Sequence, residues 1–214
     1  MFGISPETIR KVAILTPLLL LALTAHEFAH GWVAWKKGDW TAKNKGRLSF
    51  NPLVHIDPIG ALVMLVTGFI GWAKPVPVEP RNFRDPARDM VSVALAGPAA
   101  NLLLAIGFGL IFKVITLAAF YRHFADLISL DNLTLAINVS FTAILLNLGL
   151  AFFNLLPVPP LDGFRVAAYF MSPQVVRTIY RYQILIFILL LVAIRMGLFD
   201  RVYAFLTHAV ISIV

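Results

Sequence analysis

Leu18-Leu19-Leu20-Leu21-Ala22-Leu23-Thr24-Ala25-His26-Glu27-Phe28-Ala29-His30-Gly31-Trp32-Val33 is the stretch that decides the reading of this chain. It lies between Lys11 and Lys36, and Glu27 is the only acid or strong base in that interval. An apolar run of this length fits the roughly 20 residues a helix needs to cross a hydrocarbon core of about 30 Å. Ionisable groups at membrane depth are costly, so three of them in five residues mark a functional site. On a helix His26 and His30 stand one turn apart on one face. Two imidazoles at that spacing can share a metal ion, and Glu27, about 100° round the helix, can reach a water on that metal without ligating it. Chance is a weak alternative: with 5 His among 214 residues, on the order of 0.002 H-E-x-x-H matches are expected at random.

The rest of the composition agrees with a membrane setting. Hydrophobic residues make up 59% and charged residues 14%, against roughly 45–50% and about 25% in soluble domains. This excludes a disordered chain, a disulfide framework and an ordinary cytosolic enzyme. The net charge of +7 fits basic loops beside an anionic leaflet. No basic run with interleaved aromatics suggests nucleic acid, so none is expected as a partner; the lipid bilayer is.

Two further stretches are long enough to span: Met90 to Phe112, without a formal charge, and Asn132 to Gly163, where Asp162 is the only one. The 16 residues from Pro58 to Ala73 are uncharged but broken by Pro58, Gly60, Gly68 and Gly71, and fit either a short span or a re-entrant hairpin. Tyr182–Ile194, extended back through Pro173, reaches spanning length, and Val202–Val214 makes a short tilted span or an interfacial helix. Arg10 and Lys11 before Val12–Ala25 resemble a signal peptide, but the apolar pattern runs on through Phe28, Trp32 and Trp35, so a retained helix is expected. Lys and Arg crowd residues 36–47 and 74–88, whereas 119–131 carries only Arg122. A re-entrant 58–73 places both basic loops on one side, the cytoplasmic one. Gly46-Arg47-Leu48-Ser49-Phe50 alternates like a strand, and Lys74-Pro75-Val76-Pro77-Val78-Glu79-Pro80 reads as an edge strand or polyproline segment, since proline fixes φ and lacks an amide donor. The expected fold is an all-α integral membrane bundle of about 5–6 membrane segments with a small β element near the cytoplasmic face. It is read as a single domain over 1–214, with C-terminal helices at about 174–214.

A zinc ion with two His wants a third protein ligand and one open position. The chain has 0 Cys, so the third ligand is a carboxylate or another His. Asp162 is the best candidate, because Pro157, Pro159 and Pro160 stop the helix after Leu156 and free the backbone to turn it inward. Unwound backbone is tolerated at membrane depth only where protein buries it or it lines a wet cavity.

With both stretches in view the chain resembles the site-2 protease family of intramembrane zinc metalloproteases. His26-Glu27-Phe28-Ala29-His30 matches that family's first motif. Asn154-Leu155-Leu156-Pro157 through Leu161-Asp162-Gly163 matches its second, N-x-x-P-x-x-x-L-D-G, at the family spacing. Gly97-Pro98-Ala99-Ala100-Asn101 matches a G-P-x-x-N common in its middle span. The resemblance covers about 12–165 and is to a compact bacterial or archaeal branch, with no room in these residues for PDZ or CBS modules. It implies an endopeptidase of a cell membrane that uses Zn2+, with His26, His30 and Asp162 as ligands, Glu27 as base, a transmembrane protein as substrate and an active site toward the cytoplasm. It also implies that Asn154 binds substrate or stabilises the oxyanion, where interhelical bonding is the plain alternative. Asn101, after the Gly-Pro break, fits helix packing as well as a site role. His55 and Asp57 flank a proline turn, and either one orients a ligand or touches substrate, or the turn is structural. Other readings are a prenyl-protein processing type of metalloprotease, which needs a distant Glu ligand where none follows Glu79, and a metal transporter or channel with a His/Glu-lined path.

Overall fold

The computed structural model describes residues 5–67, 71–120 and 129–213. Arg122 and His123 fall outside them. Among the described residues three helices are long and apolar enough to cross a membrane: α1 (Pro6–Lys36) through its part Val12–Lys36, α4 (Pro86–Phe120) through Pro86–Leu117, and α5 (Leu130–Asn154). They fall on the three long apolar stretches read from the sequence. The short helices are α2 (Thr41–Asn44), α3 (Pro58–Thr67), α6 (Asp162–Ala168), α7 (Pro173–Arg181), α8 (Gln183–Arg195) and α9 (Asp200–Ile213). Helices α7 and α8 qualify as a span together, but bend by 66° at Tyr182.

Helix α4 is the centre of the bundle and packs on α1, α5 and α6. Small residues make this possible: Ala22 and Ala34 of α1, Ala94 and Ala105 of α4, and Ala143 and Ala151 of α5 are all buried. Apolar driving force is weak between helices in lipid, so close backbone approach at small residues does the packing. On the far side of α4, Leu103, Ile106, Leu110 and Val114 form an exposed apolar stripe at spacings of three and four, which faces acyl chains in a bilayer. Helix α9 packs through Val210 against Ile144 and Leu145 of α5.

The stretch 58–73 returns to where it begins. Ile56 and Ala73 form an antiparallel bridge, and the Lys74 amide donates to the His55 carbonyl over 2.8 Å. A crossing would put those ends about 30 Å apart. Asp57 starts the excursion by accepting from the amides of Ile59 and Gly60 at the head of α3. A Cβ on Gly60 would meet the Trp72 carbonyl, so only glycine lets the two arms come this close. The paired ends therefore speak against a single crossing. The expected β element is not formed: among the described residues neither 46–50 nor 74–80 is a strand, and the Ile56–Ala73 bridge stands isolated.

The segment from Lys74 to Glu79 runs without regular structure as a strap across the end of α1. Gly38, at φ +107°, turns the chain off α1 in a conformation that side chains resist. That turn drops Asp39 under the strap. Its carboxylate is fully buried and accepts from the Thr41 amide and hydroxyl, from the Glu79 amide at 2.7 Å and from Asn82 Nδ2 at 2.7 Å. Burial opposes its ionisation, but these hydrogen bonds outweigh burial and hold the carboxyl below the usual carboxylate range.

Asp39 therefore stabilises the strap fully above the unfolded-state value of about 3.9, and that stabilisation is lost as pH falls through its lowered folded-state value. A hydrogen bond to a charged group is worth about 1.5–3 kcal/mol, so Asp39→Ala is expected to speed exchange of the Glu79 amide by about 10- to 100-fold at neutral pH. Hydrogen exchange measured on wild type and variant checks this, and in wild type the same protection is expected to fade below about pH 4.

Candidate metal centre

His26 and His30 sit ten and six residues before the end of α1, about 15 and 9 Å along the axis from its basic end. Both imidazoles are turned into the seam with α4 and are buried. Their Nε2 atoms face each other at 3.0 Å, and each lies 3.1 Å from Oδ2 of Asp162. Asp162 comes from a distant part of the chain. Helix α5 ends at Asn154, the prolines carry the chain through turns, and α6 begins at Asp162 itself. Gly163 makes the return possible, because a Cβ there would overlap the Leu155 carbonyl.

The far nitrogens of both rings are engaged. His30 Nδ1 donates to the Val93 carbonyl at 2.7 Å, and His26 Nδ1 lies 2.6 Å from Oδ1 of Asn101. A neutral imidazole has one N–H. With that proton outside, both Nε2 atoms present lone pairs to a carboxylate oxygen. Three acceptors then meet with no proton among them, which is the donor set of a cation site. Ligand distances to zinc of about 2.0–2.1 Å give a tetrahedral edge of about 3.3 Å, close to the spacings here. Among the described residues this is the group of His and acidic side chains able to hold a metal ion.

Glu27 is not part of that group. Its Oε2 accepts from the Val76 amide at 2.8 Å, so the base candidate is tied to the strap. The strap lies close: a Cβ on Gly31 would touch Leu48, Val76 and Ala42 at 3.0–3.3 Å. Asn101 is fully buried and bonded to His26, to the Ala22 carbonyl and to Asn147. Asn154 donates its Nδ2 to the Leu150 carbonyl of its own helix at 2.9 Å. His55 is buried with Nε2 at 2.9 Å from the Ser49 carbonyl, and is not brought to the three-atom group. Asp57 caps α3, as described above.

Sequence reasoning passed over Gly97. A Cβ there would lie 2.5 Å from Nε2 of both histidines. Its signal was the Gly-Pro at the middle of a long apolar run, read only as part of a motif.

An H-E-x-x-H helix whose third acidic donor arrives on a broken helix, inside apolar spans, defines a membrane metalloprotease. The chain belongs to peptidase family M50, whose model matches residues 14–194. The site-2 protease resemblance is thus borne out. "Putative zinc metalloprotease YwhC" of Bacillus subtilis is 44% identical over 163 residues, covering 73% of this chain and 68% of that protein. "Putative zinc metalloprotease Rip2" of Mycolicibacterium smegmatis is 28% identical over 227 residues, covering 98% and 81%. Rip2 of Mycobacterium tuberculosis is 31% identical over 164 residues, covering 75% and 58%. No solved structure matches the chain.

The rings are pinned by their Nδ1 bonds, so they cannot swing away from an added methyl group. Gly97→Ala is expected to lower the metal content of the purified protein at least about tenfold while leaving it folded, as read by elemental analysis beside circular dichroism.

Proposed function

We propose that this chain is an intramembrane zinc endopeptidase that hydrolyses peptide bonds within or next to transmembrane segments of other membrane proteins. The observation that carries the reading is the meeting of two bare imidazole nitrogens and one carboxylate oxygen at 3.0–3.1 Å. Family membership and the zinc metalloprotease names of the relatives support it, and they do not favour a transporter. In this reading His26, His30 and Asp162 hold the zinc. When bound, zinc supplies Lewis acidity that activates water and polarises the scissile carbonyl.

Glu27 adjoins a ligand on α1, where its carboxylate takes a proton from the attacking water and returns it to the leaving amine. To do so it exchanges the Val76 amide for that water. Asn154 serves as a donor to the substrate carbonyl after exchanging its bond to Leu150. Neither His55 nor Asp57 is given a chemical role. The membrane segments number five, α1, α4, α5, the bent α7–α8 pair and re-entrant α3, or six with α9. The basic loops 36–47 and 74–88 support a site toward the cytoplasm of a bacterial or archaeal cell. Because a helix hides its peptide bonds, the substrate unwinds locally and lies against 46–50 and the strap as an added strand.

Wild type and Glu27→Gln are to be co-expressed with candidate single-span proteins, with and without a zinc chelator. Loss of the base is expected to slow cleavage by about 10²- to 10⁴-fold, and chelation to stop it. Equal cleavage by both forms overturns the reading. A Gly or Pro placed in the substrate helix is expected to increase cleavage.

A further inference from the structure

Two rings face the same group of acceptors, but their outer nitrogens are secured differently. His30 Nδ1 meets the Val93 carbonyl, which can only accept, so the proton on that nitrogen is settled by backbone. His26 Nδ1 meets a side-chain amide, Asn101, and an amide offers an acceptor or a donor according to which way it is turned. Were Asn101 reversed, its Nδ2 would face His26. The His26 proton would then sit on Nε2, inside the metal group.

The orientation of Asn101 can be followed outward to a group without choice. Asn147 of α5 places one end of its amide 2.9 Å from the Ala143 carbonyl one turn earlier. That carbonyl only accepts, so the end is Nδ2, and Oδ1 is left facing Asn101 at 3.1 Å. Asn101 must answer with its own Nδ2, which also lies 3.2 Å from the Ala22 carbonyl. Its Oδ1 is then the atom at 2.6 Å from His26. The direction of every bond from Ala143 to His26 follows. Asn101 is fully buried and Asn147 is 1% exposed, so little bulk water is at hand to replace a misplaced partner.

We propose that Asn147, which touches neither ligand atom nor substrate, is a positioning residue for the metal centre. Through Asn101, and together with the Ala22 carbonyl, it holds the His26 proton on Nδ1 and keeps the Nε2 lone pair free for zinc. The inference rests on the zinc-ligand reading given above and assigns α5 a share in metal affinity at a level where it carries no ligand.

The test is zinc affinity of the purified full chain in detergent, by competition with a chromogenic chelator, which needs no substrate. Removing a group that orients a ligand costs about 10- to 100-fold in metal affinity, which is the loss expected for Asn101→Leu. Asn147→Leu is expected to weaken zinc by about tenfold. Asn147→Asp is expected to stay within about twofold of wild type, since a buried neutral carboxyl has one donor and one acceptor end, as the amide does. The double variant is expected to be no weaker than Asn101→Leu alone, because Asn147 acts only through Asn101.

Unchanged zinc affinity in a folded Asn147→Leu protein overturns the proposal. So do losses that simply add in the double variant. Asn147 as a mere bridge between helices would lower the unfolding temperature of the metal-free protein and leave zinc affinity alone. Should the leucine variant not fold, Asn147→Ala removes the same acceptor with less bulk and is read in its place. A wild-type chain that binds no zinc removes the proposed function itself, which tells the two failures apart.

Discussion

Two lone pairs and a carboxylate oxygen about 3 Å apart repel one another, and the low dielectric of a bundle interior makes that repulsion large. Such a group persists only where the fold forces it together, and a bound cation would relieve it. Much of the long-range architecture serves this one constraint. Helix α4 supplies the Val93 carbonyl and Asn101 to the outer ring nitrogens, and Gly97 clears the space that the inner ones need. The break after α5 delivers Asp162 from the other side. Small residues at the α1–α4–α5 seams bring three backbones near enough for these contacts.

Much of this was readable from the chain alone, for physical reasons. The spacing of His26 and His30 puts them on one helical face wherever that helix packs. Asp162 stood out because it is the only charge in the 32 residues 132–163, and a charge at membrane depth needs a partner. The prolines from 157 to 160 predicted a stop after Leu156, and α5 ends at Asn154. The strap between 74 and 80 followed from the missing amides of its prolines.

What was not readable concerns partners far apart in sequence with no periodicity to announce them. Asn101 meets His26 across 75 positions, and the Val76 amide meets Glu27 across 49. Nothing in the residue types at those positions distinguishes such pairings from ordinary packing. His55 looked available for a site because it is a histidine beside a turn, yet its ring is spent on the Ser49 carbonyl within its own loop. The bend of 66° between α7 and α8 falls at Tyr182, where no proline or glycine marks it. The choice between a span and a re-entrant form for 58–73 depended on whether its two ends pair, which composition does not encode.

The hold of the strap on Glu27 has a consequence for traffic through the site. Pro75 and Pro77 have no N–H, so Val76 carries the sole amide hydrogen between Lys74 and Val78, and Glu27 has it. The Lys74 carbonyl is taken as well, by the Arg47 guanidinium at 2.6 Å. Any polypeptide that docks along these residues competes with two side chains of the protein itself. Docking along the strap and release of the Glu27 carboxylate would therefore be one exchange, and without a guest that carboxylate stays bound to Val76.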